Sequence, residues 1–148
     1  MKKIIPILIL TTFSSCFFGV NEYSGKITND FYLIAWDDKF WQISHSNNNS
    51  EFNTENIIIS HDVFGVGYNK NFIIAAQHPC KNKQPHLNDY DENYYINKEI
   101  TNYYIIELLK DKKYRINKFD SKTQYLEAKT KLGVPSDLTY SFYKEALE

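Results

Sequence analysis

Arginine is nearly missing from this chain: Arg115 is the only one in 148 residues, and glycine occurs five times. Lys, Asn, Ile, Tyr and Phe are plentiful instead, a usage that points to a bacterial genome rich in A and T. Neither sign of charge is in excess, since 17 basic residues stand against 18 acidic ones. That balance offers no cationic footprint for nucleic acid and no polybasic tail for a membrane surface. No apolar run approaches the roughly 20 residues that a membrane-spanning helix needs. The G-x-S-x-G elbow of serine hydrolases is absent, as are the glycine-rich loops that cradle phosphates. No internal repeat is long enough for a propeller or a solenoid.

The front of the chain is distinctive. Met1-Lys2-Lys3 is a charged start, Ile4 to Leu10 a short apolar run, and Thr11 to Ser15 a zone ending in small residues. This is the layout of a secretory signal. Lys2 and Lys3 favour the cytoplasmic side, so the chain behind them is expected to be exported. Phe13-Ser14-Ser15-Cys16 resembles a bacterial lipobox, with Phe13 where an aliphatic residue is usual. The resemblance implies cleavage before Cys16 and acylation of its thiol and of the new amino group, and two or three acyl chains anchor stably where one does not. An ordinary secreted protein cut elsewhere, or an uncleaved anchor, is the bland alternative. We therefore divide the chain into a signal peptide over 1–15, a lipidated cysteine and tether over 16–29, and a single domain over 30–148. Phe17 rather than Asp follows the cysteine, so the destination is a bacterial cell membrane or outer membrane. Once Lys2 and Lys3 are removed, 15 basic residues remain against 18 acidic ones. Cys80 would then be the only free thiol, so the domain must rest on its core and not on a disulfide.

Strand signals dominate the body. Phe31–Trp36 and Phe40–His45 flank Asp37-Asp38-Lys39 and read as a hairpin, and Asn56–Ser60 reads as a third strand. Val63–Tyr68 and Phe72–His78 around Asn69-Lys70-Asn71 form the clearest hairpin. Gly65 and Gly67 lie two apart on one face of it, where they admit a close neighbour or mark a bulge. Tyr103–Leu109 and Tyr114–Asn117 follow a long polar insertion over 79–101, and loops of that length in compact domains are functional or disordered. A helix is predicted after Ser121, with Gln124 completing a capping box, Tyr125, Ala128 and Leu132 on one stripe, and Gly133 and Pro135 as stops. Leu138–Tyr143 alternates as a last strand. The expected fold is α+β: an antiparallel meander of about seven strands with one C-terminal helix packed on the sheet.

Chemistry-bearing residues are few. His78, Cys80 and His86 form H-x-C-x5-H, which has ligand-type residues but no fourth ligand and no common zinc spacing. Asp89-Tyr90-Asp91-Glu92-Asn93 opens like a calcium loop, yet Tyr94 stands where glycine is needed and Ile100 where a bidentate Glu is needed. Asp37 and Asp38 suit a turn better than acid–base work. A lone Cys80 beside no basic cluster is an ordinary buried thiol more readily than a nucleophile. Aromatics are the unusual feature, at 16% of residues with 12 tyrosines. Tyr90, Tyr94, Tyr95 and Tyr104 gather at the insertion and the strand behind it, and Tyr is favoured at binding surfaces. It also suits strands, which is the competing explanation.

The stretch Val63–Pro79, with G-Y-N-x-x-F-I-I and Gln77-His78-Pro79, is similar to one in a family of short bacterial proteins of uncharacterised function, many with lipoprotein signals. Tracts like Phe31–Asp37, Asn102–Ile106 and Lys131–Pro135 extend the resemblance over most of the mature chain. It implies a class and no catalytic residue, and it singles out His78 as a surface contact to test. The expected function is a membrane-anchored lipoprotein with a small non-enzymatic binding domain and no cofactor. Its partner would be an envelope or secreted protein, met through His78, Tyr90, Tyr94, Tyr95 and Tyr104. The alternative is an envelope metal-dependent hydrolase using His78, Cys80 and His86.

Overall fold

The computed structural model describes residues 22–36, 41–46, 56–60, 62–80 and 96–143. Within them the chain builds two antiparallel sheets and one helix. Sheet A is a plain meander of β1 (Glu22–Thr28), β2 (Phe31–Trp36), β3 (Gln42–His45) and β4 (Ile57–Ile59), paired in that order. Sheet B holds β5 (Val63–Tyr68), β6 (Phe72–Gln77), β7 (Asn102–Leu108), β8 (Tyr114–Phe119) and β9 (Phe142–Tyr143) in the order β8-β7-β6-β5-β9. The helix α1 spans Lys122–Leu132. The α+β class and the meander match expectation, but the described strands number nine and divide between two sheets.

The strand outside the expected set is β1, while the expected last strand is cut to Phe142–Tyr143. Residues 22–28, inside the stretch read as a tether, form β1 and pair with β2 from Glu22↔Trp36 to Thr28↔Phe31. Asn29, in a left-handed conformation at φ 48°, turns the chain tightly enough to bring β1 back, a role its short amide side chain tolerates. β9 closes the far edge of sheet B on β5, through Gly65↔Tyr143 and Val66↔Phe142.

Local chemistry sets the hairpins. Asn69 Oδ1 accepts from the Asn71 and Phe72 amides at 2.8 and 2.9 Å, an Asx turn that fixes the β5–β6 register. Asp111 and Lys112 both sit at φ near 58° (57° and 58°), the two left-handed residues that a type I′ hairpin requires. A salt bridge of 2.9 Å from Lys112 to Asp30 ties that hairpin tip to sheet A.

The layers follow from side-chain alternation. Ile73 and Ala75 of β6 point into a core shared with Phe31, Leu33 and Ile43 of sheet A, which is sealed by Val66 and Ile106. Ile74 points the other way and meets Ile105, Tyr125 and Val134 on the helix side. A strand buried on both faces reads as a continuous apolar run, which is what Phe72-Ile73-Ile74-Ala75-Ala76 is. The molecule is therefore sheet A, sheet B, then helix. Tyr125 is the buried residue of α1, with Ala128 and Leu132 beside it on the expected stripe. Ser121 is the N-cap residue but its side chain makes no capping bond, so the capping box does not form. Gly133 stops the helix at φ 72°, with the Val134 amide returning to Lys129 O at 2.9 Å, a Schellman-type ending. Among the described residues no helix is long and apolar enough to cross a membrane.

Candidate functional site

The outer face of sheet B is floored by small residues where β5 meets β6. Gly65 pairs with Ala76 and Gly67 with Ile74. The lack of bulk lets the chain after α1 cross directly over β5. A Cβ on Gly65 would stand 3.2 Å from the Tyr140 ring, and one on Gly67 would overlap the Thr139 carbonyl. The Ser141 amide donates to Val66 O at 2.7 Å and its hydroxyl does so at 3.2 Å. Gly65 also borders a register shift between Val63 and Gly65, so both roles read from the sequence are filled.

Between this crossing segment, α1 and the sheet lies a cleft of about 490 Å³. Its floor includes Phe64, Ile74, Ala76 and His78, and its walls include Tyr103, Tyr125, Leu138 and Tyr140. The rings are paired: Phe64 stacks on His78 at 4.3 Å, and Tyr103 on Tyr125 at 5.1 Å with planes 21° apart. Burial raises the Tyr125 phenol pKa above its usual value, so it stays a neutral hydroxyl. Lys98, Lys122 and Lys129 line the same space. Lys129 donates to Leu138 O at 3.0 Å and lies 5.9 Å from the Tyr125 ring centre. Among the described lining residues the ionisable groups are lysines, tyrosines and one histidine.

Beside the cleft, Gln77-His78-Pro79 holds the root of the long insertion. Gln77 Nε2 donates to Ser60 O, while its Oε1 accepts from Asn102 Nδ2 at 3.2 Å and from the Tyr104 hydroxyl at 2.8 Å. His78 Nδ1 sits 2.8 Å from Ile100 O. An oxygen that can only accept places the ring hydrogen on Nδ1. Asn97 N donates to Pro79 O at 2.9 Å, and Cys80 bridges to Ile96. The stretch therefore clamps both ends of the 81–95 segment together.

A model for "Protein of unknown function (DUF3997)" matches residues 28–144. The chain belongs to the DUF3997 family. Searches of the curated proteins and of solved structures found no match. The DUF3997 match runs from the end of β1 to just past β9, so it takes in the helix, the crossing segment and every lining residue of the cleft.

Two residues expected at the surface of this DUF3997 domain are not there. His78 is 5% exposed and Tyr104 is 9% exposed. Each is drawn inward by the hydrogen bonds above, because a strand residue with a polar tip and a buried acceptor opposite is held in the core. Burial also pushes the Tyr104 phenol up to about 12. Cys80 is partly buried. Cys16, His61, His86, Tyr90, Tyr94 and Tyr95 lie outside the described residues. The sequence reading missed the cleft because Phe64, Tyr103 and Tyr125 are far apart in the chain. Its one usable signal was the Gly65/Gly67 pair.

A second depression, of about 580 Å³, lies at the end of the sandwich among His45, Lys112, Tyr114 and Arg115. Two of its cations face acids: Lys112 meets Asp30, and Arg115 approaches Glu107 at 3.7 Å. His45 is packed between Phe31 and Tyr114 at 4.7 and 4.8 Å. Its pKa is lowered, mainly because burial disfavours the imidazolium. This end of the domain locks the β7–β8 hairpin onto sheet A.

Proposed function

We propose that the protein is an exported lipoprotein, held to a bacterial membrane by acyl chains on Cys16, whose DUF3997 domain binds a ligand or partner without catalysing a reaction. The observation that carries the binding role is the cleft on the outer face of sheet B. Its size falls within the roughly 300–1,000 Å³ of small-molecule sites, and its lining sets aromatic and apolar side chains such as Phe64, Ile74, Tyr103 and Tyr125 beside an equal share of polar ones. The anchor rests on the lipobox-like Phe13-Ser14-Ser15-Cys16, and an envelope or secreted protein remains the partner class that localisation would supply. The alternative reading, an envelope metal-dependent hydrolase, uses His78, Cys80 and His86, of which His86 lies outside the described residues.

Two measurements test the proposal. Cells expressing the full chain and fed an alkynyl fatty acid should yield a labelled protein in the membrane fraction, and Cys16→Ser should remove the label. A labelled Cys16→Ser chain would refute the anchor. The tagged full chain, extracted from those membranes and analysed by native mass spectrometry, should carry a bound molecule or protein in near-stoichiometric yield. An empty chain recovered from membranes and from culture extract alike would refute the binding role.

A further inference from the structure

We infer that the end of the sandwich where β1 starts rests on the lipid surface that holds Cys16, so that both sheets stand on the membrane and their opposite end points away from it. The inference rests on the lipoprotein reading above and names the part of the domain that meets the bilayer.

The first ground is length. As a free tether, residues 16–29 would reach about 45 Å when extended. Most of that length goes into β1, which is bonded to β2 from Glu22↔Trp36 onward. Cys16 and Glu22 are six positions apart, and six extended steps span at most about 20–22 Å. β1 itself has seven residues, which rise roughly 20 Å from first to last. With the far end on the membrane, Glu22 would stand that whole strand above the lipid. All of the connecting chain would then have to run straight, with none left for the Asn29–Asp30 turn beneath. The end at Glu22 is the one the anchor reaches.

The second ground is that this end is continuous across both sheets. Ile34 pairs with Gln42 at the start of β3. The Val63 amide donates to Trp41 O at 2.9 Å, and Val63, Gln77 and Asn102 pair in turn along sheet B. Tyr103 pairs with Phe119, which places the start of α1 here as well. The far end is tied in the same way, by Phe72↔Glu107 and by Lys112 on Asp30. A membrane that meets Glu22 therefore meets the starts of β5, β7 and α1 with it.

The residue types at this end suit a bilayer boundary. Both tryptophans of the chain belong to it: Trp36 is the register partner of Glu22, and Trp41, next to Val63, is partly buried against the core. Tryptophan is enriched where bilayer meets water. The Asn97–Ile100 turn before β7, closed by the Ile100 amide on Asn97 O at 3.1 Å, leaves Ile100 46% exposed. Apolar side chains of this kind enter the headgroup layer.

The test uses the full acylated chain in phosphatidylcholine vesicles, with some of the lipids carrying a nitroxide on the headgroup. The two native tryptophans report on the Glu22 end. A fluorophore on Lys70→Cys, in a chain with Cys80→Ser, reports on the far end, because Lys70 lies exposed in the β5–β6 turn. Each signal is normalised to its quenching by a water-soluble nitroxide. The tryptophans should be quenched at least about threefold more than the label, since the far end stands roughly 20 Å further off. A Gly/Ser insert of about 20 residues after Val20, whose coil spans about 25 Å, should bring that ratio toward one. Equal quenching at the two ends, no quenching at either, stronger quenching at position 70, or a ratio unchanged by the insert would each overturn the inference. The acyl label is read on the same preparation. A labelled chain with equal quenching defeats the inference alone, whereas a chain without the label defeats the lipoprotein reading and the inference with it.

Discussion

Replacing Gly67 with alanine is the sharpest probe of how the cleft is built. The new Cβ would lie 2.8 Å from the Thr139 carbonyl carbon and 3.2 Å from Ile74 Cγ1, with the carbonyl oxygen closer still. The obstacle is backbone, so no rotamer change relieves it. Either the sheet and the crossing segment strain apart locally, which for overpacking costs about 1–3 kcal/mol, or the segment lifts from β5. Lifting gives up the two Ser141 hydrogen bonds to Val66 O, at about 0.5–1.5 kcal/mol each, and uncovers part of Tyr140. Both routes lead to a loss of about 2–3 kcal/mol, which for a chain of this size lowers Tm by roughly 5–10 °C. Two control substitutions rank the effect. Gly65→Ala meets the Tyr140 ring, a side chain that can give way, and should cost under about 1 kcal/mol. Gly25→Ala in β1 meets nothing within 4 Å and should be neutral or stabilising by up to about 1 kcal/mol. Thermal unfolding by circular dichroism measures the ranking, and hydrogen exchange at the Ser141 amide reports the lifting. A Gly67→Ala chain melting with the wild type and keeping Ser141 protected would refute the close approach.

Further outcomes follow from the buried polar groups. Gln77→Leu strands Ser60 O, Asn102 Nδ2 and the Tyr104 hydroxyl; unpaired buried groups cost about 1–3 kcal/mol each. We expect a loss of about 3 kcal/mol by chemical denaturation and faster exchange at the Asn97 amide, and a loss below 1 kcal/mol would contradict the clamp. The Tyr104 phenol is raised from 10.0 to about 12, so the folded state holds its proton more tightly than the unfolded chain. Its stabilising contribution is complete below pH 10 and is lost as pH rises toward about 12; alkaline unfolding should show this step and Tyr104→Phe should lack it. His45 shifts the other way, below 6.5, mainly by burial. Its contribution is present above that value and is lost as pH falls through the lowered pKa. His45→Phe, which keeps a ring between Phe31 and Tyr114, should therefore move the onset of acid unfolding to lower pH, and an unchanged onset would refute the assignment.

How much of this was legible beforehand depended on range along the chain. The hairpins at 31–45, 63–78 and 103–117 were readable, since Asn69 and the Asp111-Lys112 pair carry their turn chemistry within a few residues of the strands they join. So was the end of α1, because Gly133 and Pro135 act on adjacent backbone. The proposed export signal rests on a contiguous pattern of the same kind. Two sheets rather than one could not be read, since Ile73 and Ile74 look alike in sequence and differ only in what faces them. Nor could the burial of His78 and Tyr104: each is polar-tipped, and whether it reaches solvent depends on Ile100 O and Gln77 Oε1, which lie 22 and 27 positions away. Local periodicity and turn residues by themselves determined which segments became strands or helix and where they stopped. Only the tertiary structure decided that β9 returns to β5, that the crossing segment rests on Gly65 and Gly67, and that three distant lysines face one aromatic cleft. These depend on contacts made once loops have closed, and no residue carries the identity of a partner 70 positions away in its own local preference.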